Sequence, residues 1–158
     1  MRRTWAKLLY EAMRQDEKIV LLTGDLGYGM WDNIRDSYPQ RFYNCGSAEQ
    51  AMLGIAVGLA LGGKIPICYS ITPFVLCRPF EIIRNYLNHE KVPVKLVGAG
   101  RDRDYGHDGF THWGEDDKKI CECFPNLVTF RPDTNDELIS VFSTILYNNR
   151  PSYVNLRR

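Results

Sequence analysis

Glu49 is the acid in this chain whose neighbours constrain it most. It lies in Asn44-Cys45-Gly46-Ser47-Ala48-Glu49-Gln50, a tight turn that runs directly into Ala51-Met52-Leu53-Gly54-Ile55-Ala56-Val57-Gly58-Leu59-Ala60-Leu61-Gly62-Gly63. Ser47, with Gln50 three residues on, predicts a capping box at the start of a helix. Glu49 is thereby placed at the positive end of the helix dipole, where a carboxylate either complements the dipole or takes part in chemistry. The residues alone leave both roles open. Behind Glu49, Met52, Ile55, Ala56 and Leu59 repeat at helical spacing, and Gly54, Gly58 and Gly62 recur at every fourth position on another face. This pattern predicts a helix buried on most sides, with glycines that admit a close backbone at about 1 kcal/mol of lost helix propensity each.

A second concentration of reactive groups is Gly98-Ala99-Gly100-Arg101-Asp102-Arg103-Asp104-Tyr105-Gly106-His107-Asp108-Gly109-Phe110-Thr111-His112-Trp113. Its two arginines, three aspartates, two histidines and threonine suit a polar substrate pocket, with Arg101 and Arg103 fitted to phosphate or carboxylate. The same composition also suits a solvated loop closed by its own ion pairs. Gly24-Asp25-Leu26-Gly27 follows a strand but is neither a Walker loop nor GxGxxG, and reads by itself as a turn.

The elements that must position these loops follow from hydrophobic patterning. Short apolar runs bounded by turn residues predict strands at Lys18–Thr23, Arg41–Asn44, Lys64–Ser70, Val92–Gly98, Leu127–Phe130 and Ser152–Leu156. Helical spacing predicts helices from Thr4 to Asp16, around Asp32–Ser37, from the Ser47 turn onward, from Pro79 toward Asn88, toward Cys123, and after a Thr134/Glu137 capping box. Pro73 and Pro79 argue against a continuous helix before Pro79. Alternation of strands and helices gives a three-layer α/β/α fold with a mostly parallel sheet of about six strands. In such a sheet ligands bind beyond the carboxyl ends of the strands, so the loops after Thr23, Asn44, Ser70 and Gly98 should converge.

With 158 residues the chain is expected to form one domain. Twenty basic and nineteen acidic residues leave a net charge of +1, which argues against a general polyanion surface and so against nucleic acid as a partner. The N-terminus Met1-Arg2-Arg3-Thr4-Trp5 lacks the apolar run of a signal peptide, the longest apolar helix is interrupted by glycines and too short to span a bilayer, and the five cysteines form no CxxC pair; a cytoplasmic setting is expected.

Three segments in order resemble a known family. The Asn44–Ala60 stretch is similar to the N-G-x-A-E-Q-x-x-x-G-x-A-x-G-x-A signature of the pyrimidine-binding domain of transketolase-like thiamine diphosphate enzymes. Arg78-Pro79-Phe80-Glu81-Ile82-Ile83-Arg84 resembles its R-A-[FY]-[DE]-Q-I-R, and Tyr105–His112 with Glu115-Asp116 resembles its G-x-D-G-P-T-H and E-D segments. The resemblance implies that residues 1–158 are a single pyrimidine-binding domain. It implies that Glu49 hydrogen-bonds the cofactor's aminopyrimidine, that Phe74 or else Tyr69 stacks on it, and that Asp25, with Leu26, lies near the cofactor and a subunit contact. It also implies that Asp108 and His112 face substrate hydroxyls, with His112 counted among the catalytic residues.

The sequence departs from the family where Arg101-Asp102-Arg103-Asp104 replaces a glycine-rich run and an upstream histidine, so an altered donor or acceptor is expected. It also lacks the family's Gly-Asp-Gly with asparagines about 25–30 residues later, the oxygen-rich motif that holds Mg2+ and the diphosphate. The resulting expectation is a pyrimidine-binding subunit of a split transketolase-like transferase acting on sugars or sugar phosphates. A separate chain would bind the diphosphate and Mg2+, most simply in an α2β2 heterotetramer. The alternatives are a subunit of a two-chain 2-oxo acid decarboxylase or carboligase, and a non-catalytic partner that keeps the fold.

Overall fold

Ile19–Thr23 (β1) is buried at every position in the computed structural model, which describes residues 1–158. A five-residue strand with no exposed side chain must be covered on both faces, and the topology supplies the cover. β2 (Phe42–Asn44), β3 (Ile65–Ile71), β4 (Lys95–Ala99), β5 (Val128–Phe130) and β6 (Ser152–Leu156) complete one sheet in the order β2-β1-β3-β4-β6-β5. Every neighbouring pair is parallel, so the sheet is wholly rather than mostly parallel. Parallel pairing forces crossovers, and these place helices on both faces.

On one face α1 (Arg2–Gln15), α2 (Asp32–Ser37) and α7 (Asn135–Tyr147) pack Trp5, Leu9, Met13, Ile34, Phe142 and Ile145 over the alternate strand residues Leu21, Ile67, Val97 and Val154. On the other, α3 (Glu49–Leu61), α4 (Thr72–Cys77), α5 (Phe80–Ile82) and α6 (Asp117–Glu122) pack over Val20, Leu22, Cys68 and Leu96. No helix is long and apolar enough to cross a membrane.

Three local expectations change. A helix does precede Pro79: α4 begins at Thr72 and accepts Pro73 in its first turn, where the missing N–H costs nothing. The helix after Pro79 widens from α5 into a π-helix over Ile83–His89. At α7 the Thr134 hydroxyl accepts from Glu137 N–H at 3.1 Å as expected, but the Glu137 carboxylate reaches back to Asp133 N–H at 2.7 Å, one residue earlier than a standard box.

The helix behind Glu49 departs most. Met52, Leu53, Ala56 and Val57 are buried, yet Gly54 and Gly58 are exposed, as are Ile55 at 51% and Leu61 at 72%. Half of this nearly uncharged helix therefore faces outward. A methyl group at Gly58 would meet nothing within 4 Å, and one at Gly54 only the tip of Ile82 at 4.0 Å. Nothing within this chain requires those glycines.

Candidate functional site

The carboxyl ends of β1, β2 and β3 lie level, with Thr23 paired to both Asn44 and Tyr69, and Glu49 is positioned just beyond them. α3 begins at Glu49 itself, with Ala48 at the N-cap, and Ser47 makes no capping bond. Asn44 shapes the turn instead: its side-chain carbonyl accepts from Gly46 N–H at 3.0 Å and from Asp25 N–H at 3.1 Å. The left-handed backbone at Gly46 (φ +67°) makes that turn possible. The helix start aims the Glu49 side chain inward, where it is 1% exposed.

Two donors hold the buried carboxylate. Ser70 Oγ donates to Oε1 at 2.6 Å, and Arg78 donates to Oε2 at 2.5 Å in an ion pair. A methyl group at Gly24 would lie 2.7 Å from Oε1, so only glycine leaves room for the carboxylate there. The Arg78 guanidinium also sits over the ring of Phe74, 3.8 Å from its centroid. His112 packs on the same ring, centroid to centroid 5.0 Å and tilted by 67°, and its Nδ1 is 3.0 Å from Thr111 Oγ1. Arg78 thus joins Glu49 to Phe74, and the Phe74 ring in turn contacts His112, so that three separate stretches of sequence meet.

Tyr69 does not belong to this group. Successive strand residues point to opposite faces, so Ser70 faces Glu49 while Tyr69 is buried on the α1 side against Trp31, at 4.9 Å and 85°. Its ring cannot stack on a ligand beside Glu49. Leu26 turns toward that same α1-side core. Asp25 stays at the strand edge with a left-handed backbone (φ +57°), accepting from Tyr28 O–H at 2.5 Å and from Asn44 Nδ2 at 2.9 Å. Those two hydrogen bonds, that of Tyr28 first, hold the Asp25 pKa below its usual value.

The polar loop divides. Arg101 is 3% exposed and turns away from the edge: Nε donates to Asn155 Oδ1 at 2.7 Å, Nη1 to Asp133 at 2.5 Å and Nη2 to Pro132 O at 2.8 Å. It is a structural tie to β6 rather than a substrate ligand. Asn155 continues the network to Tyr153 O–H and Thr72 Oγ1, and Tyr153 donates to buried Asp117, which pairs with Arg131. Gly114 N–H donates to Asp102 O at 2.7 Å and closes the loop at its base. Arg103 remains exposed, bonded to Glu115 at 2.7 Å and over Trp113 at 4.2 Å. Asp108 is 3.3 Å from His107 Nε2.

Ser70 and Arg78 hold the Glu49 carboxylate of the candidate site, and neither is singled out by the sequence analysis. Parity along β3 would have found Ser70, and Arg78 opens the Arg78–Arg84 segment that carried the resemblance.

The family described as "Transketolase, pyrimidine binding domain" matches residues 1–158. Among curated relatives, the "Putative transketolase C-terminal section" of Methanocaldococcus jannaschii is 35% identical over 100% of this chain and 50% of its own length. The "6-deoxy-6-sulfo-D-fructose transketolase subunit" of Clostridium sp. (strain MSTE9) is 31% identical over 100% of this chain and 49% of its own. The chain thus spans about half the length of these relatives. A solved structure titled "Split gene transketolase, inactive beta4 tetramer" superposes with a TM-score of 0.86 at 30% identity, covering 99% of this chain and 51% of that one.

Proposed function

The chain belongs to the transketolase pyrimidine-binding domain family, and from that premise we propose that it is the pyrimidine-binding part of a split, thiamine diphosphate-dependent transketolase-like enzyme. Residues 1–158 act as one pyrimidine-binding domain, and a separate chain binds the diphosphate and Mg2+ in an α2β2 assembly. The observation that carries this reading is the Glu49 carboxylate, buried at the carboxyl edge of the sheet with Ser70, Gly24 and, through Arg78, the Phe74 ring around it.

These groups fit the aminopyrimidine end of the cofactor. A planar, polar-edged ring needs an aromatic face and a carboxylate at its edge, and Phe74 and Glu49 are those groups. When bound, thiamine diphosphate supplies a thiazolium that stabilises carbanions. The chain's own part is to hold and orient. Glu49 would hold and move a proton at its carboxylate while Ser70 fixes Oε1, and its burial would keep competing water away. His112 and Asp108 orient substrate hydroxyls, and Arg103 can pair with a phosphate once released from Glu115. The relatives named as a putative transketolase section and a transketolase subunit favour ketol transfer between sugars or sugar phosphates over 2-oxo acid chemistry. The open face of α3 supports the need for a partner, because its glycines and exposed Ile55 and Leu61 offer a close-packing apolar surface.

The test is Glu49→Gln in the complex reconstituted from both chains. Turnover should fall at least about a hundredfold, the scale on which a proton-transfer group contributes. Retained turnover would leave the chain a scaffold.

A further inference from the structure

We infer that Arg78 is an internal stand-in for the aminopyrimidine, occupying its place until cofactor binding displaces it. The inference rests on the reading of Glu49 and Phe74 as the pyrimidine site. Two requirements of that site, an aromatic face at stacking distance and a partner for the Glu49 carboxylate, are both met here by one planar side chain. The guanidinium carbon lies 3.8 Å from the Phe74 centroid while Nη1 donates to Glu49 Oε2 at 2.5 Å. A guanidinium is flat, carries N–H donors along its edge and stacks on aromatic faces, so it reproduces the contacts of a protonated heterocycle. Two flat groups cannot share one ring face.

The buried carboxylate explains why such a residue is needed. Glu49 is 1% exposed, and a carboxylate buried without a cation is strongly destabilising, so a chain without cofactor must neutralise it from within. Arg78 is suited to leave again. Its side chain is 40% exposed, and it stands at the C-cap of α4 just before Pro79. Arg78 is therefore a positioning residue: it holds the Glu49 carboxylate aimed, and its departure is part of the cost of binding.

The test is calorimetric titration of thiamine diphosphate with Mg2+ into the complex with the diphosphate-binding chain, using wild type, Arg78→Ala and Arg78→Lys. Removing a competing occupant should tighten binding by about tenfold in Arg78→Ala, the scale of one cation–π and ion-pair contact. Arg78→Lys keeps the charge but not the flat stack and should fall between. Weaker binding by Arg78→Ala would overturn the stand-in and leave the pyrimidine site intact, whereas no binding by any variant would overturn the site and the stand-in together. Nitrogen-labelled arginine NMR gives a readout apart from affinity. The Arg78 side-chain signal should be ordered without cofactor and released with it, and an unchanged signal would contradict displacement.

Discussion

Gly24 backs directly onto the Glu49 carboxylate. A methyl group on its Cα would lie 2.7 Å from Oε1 and 3.0 Å from Ser70 Oγ. The position carries no positive φ, so the demand for glycine there is one of space and not of backbone conformation. Gly24→Ala should therefore push Glu49 off Ser70, costing about 1–3 kcal/mol of stability as overpacking does. It should also weaken cofactor binding in the assembled enzyme. Urea unfolding and cofactor titration on the same variant check both.

Arg101 and Arg103 should separate cleanly. Arg101→Gln removes a buried cation bonded to Asn155, Asp133 and Pro132, and should lower stability by about 1–3 kcal/mol, the cost of leaving buried acceptors unpaired. Arg103→Ala loses one exposed pair with Glu115, worth well under about 1 kcal/mol, so its effect should appear in the KM for a phosphorylated substrate and not in unfolding. Denaturation midpoints with steady-state kinetics distinguish them.

Gly58→Ala should move two quantities in opposite directions. Open space surrounds the position, so alanine should stabilise the isolated chain by about 0.5–1 kcal/mol through helix propensity. If a partner backbone packs on this face, the same methyl should weaken assembly. Thermal melts of the chain alone and sedimentation of the two-chain mixture measure the pair of effects.

Lys95 gives a pH signature at the opposite edge of the sheet. Its ammonium is buried and hydrogen-bonded only to carbonyl oxygens, Asn148 O at 2.6 Å, Asn148 Oδ1 at 2.8 Å and Arg150 O at 2.7 Å. Burial lowers its pKa to about 8. The unfolded chain then holds this proton more tightly between about pH 8 and about pH 10.4, so stability from this group rises with pH across that window. Wild type should gain up to about 3 kcal/mol relative to Lys95→Met between those limits. A flat difference in urea midpoints would contradict the assignment.

The strands were legible because parallel strands buried on both faces are short unbroken apolar runs, and Ser152–Leu156 lies where its pattern places it. The site was legible in part. Glu49, Phe74 and His112 converge because the strand ends they follow converge, and the sheet class implies that. Tyr69 was misplaced by one residue of strand parity, which alone separates it from Ser70. Arg101 was misread because loop composition carries no direction. Its partners Asp133 and Asn155 lie more than thirty residues away along the chain, and only the pairing of β4 with β6 brings Asn155 beneath it. The Ser47 capping box does not form, since α3 starts at Glu49 with no side-chain cap, and the Asn44 side chain closes the preceding turn on Gly46 N–H instead.

The most direct test of the central claim is calorimetric titration of thiamine diphosphate, with and without Mg2+, into this chain alone and into its mixture with the diphosphate-binding chain. The account predicts tight, Mg2+-dependent binding by the mixture and only weak, Mg2+-independent binding by this chain. Tight, Mg2+-dependent binding by this chain alone would contradict it.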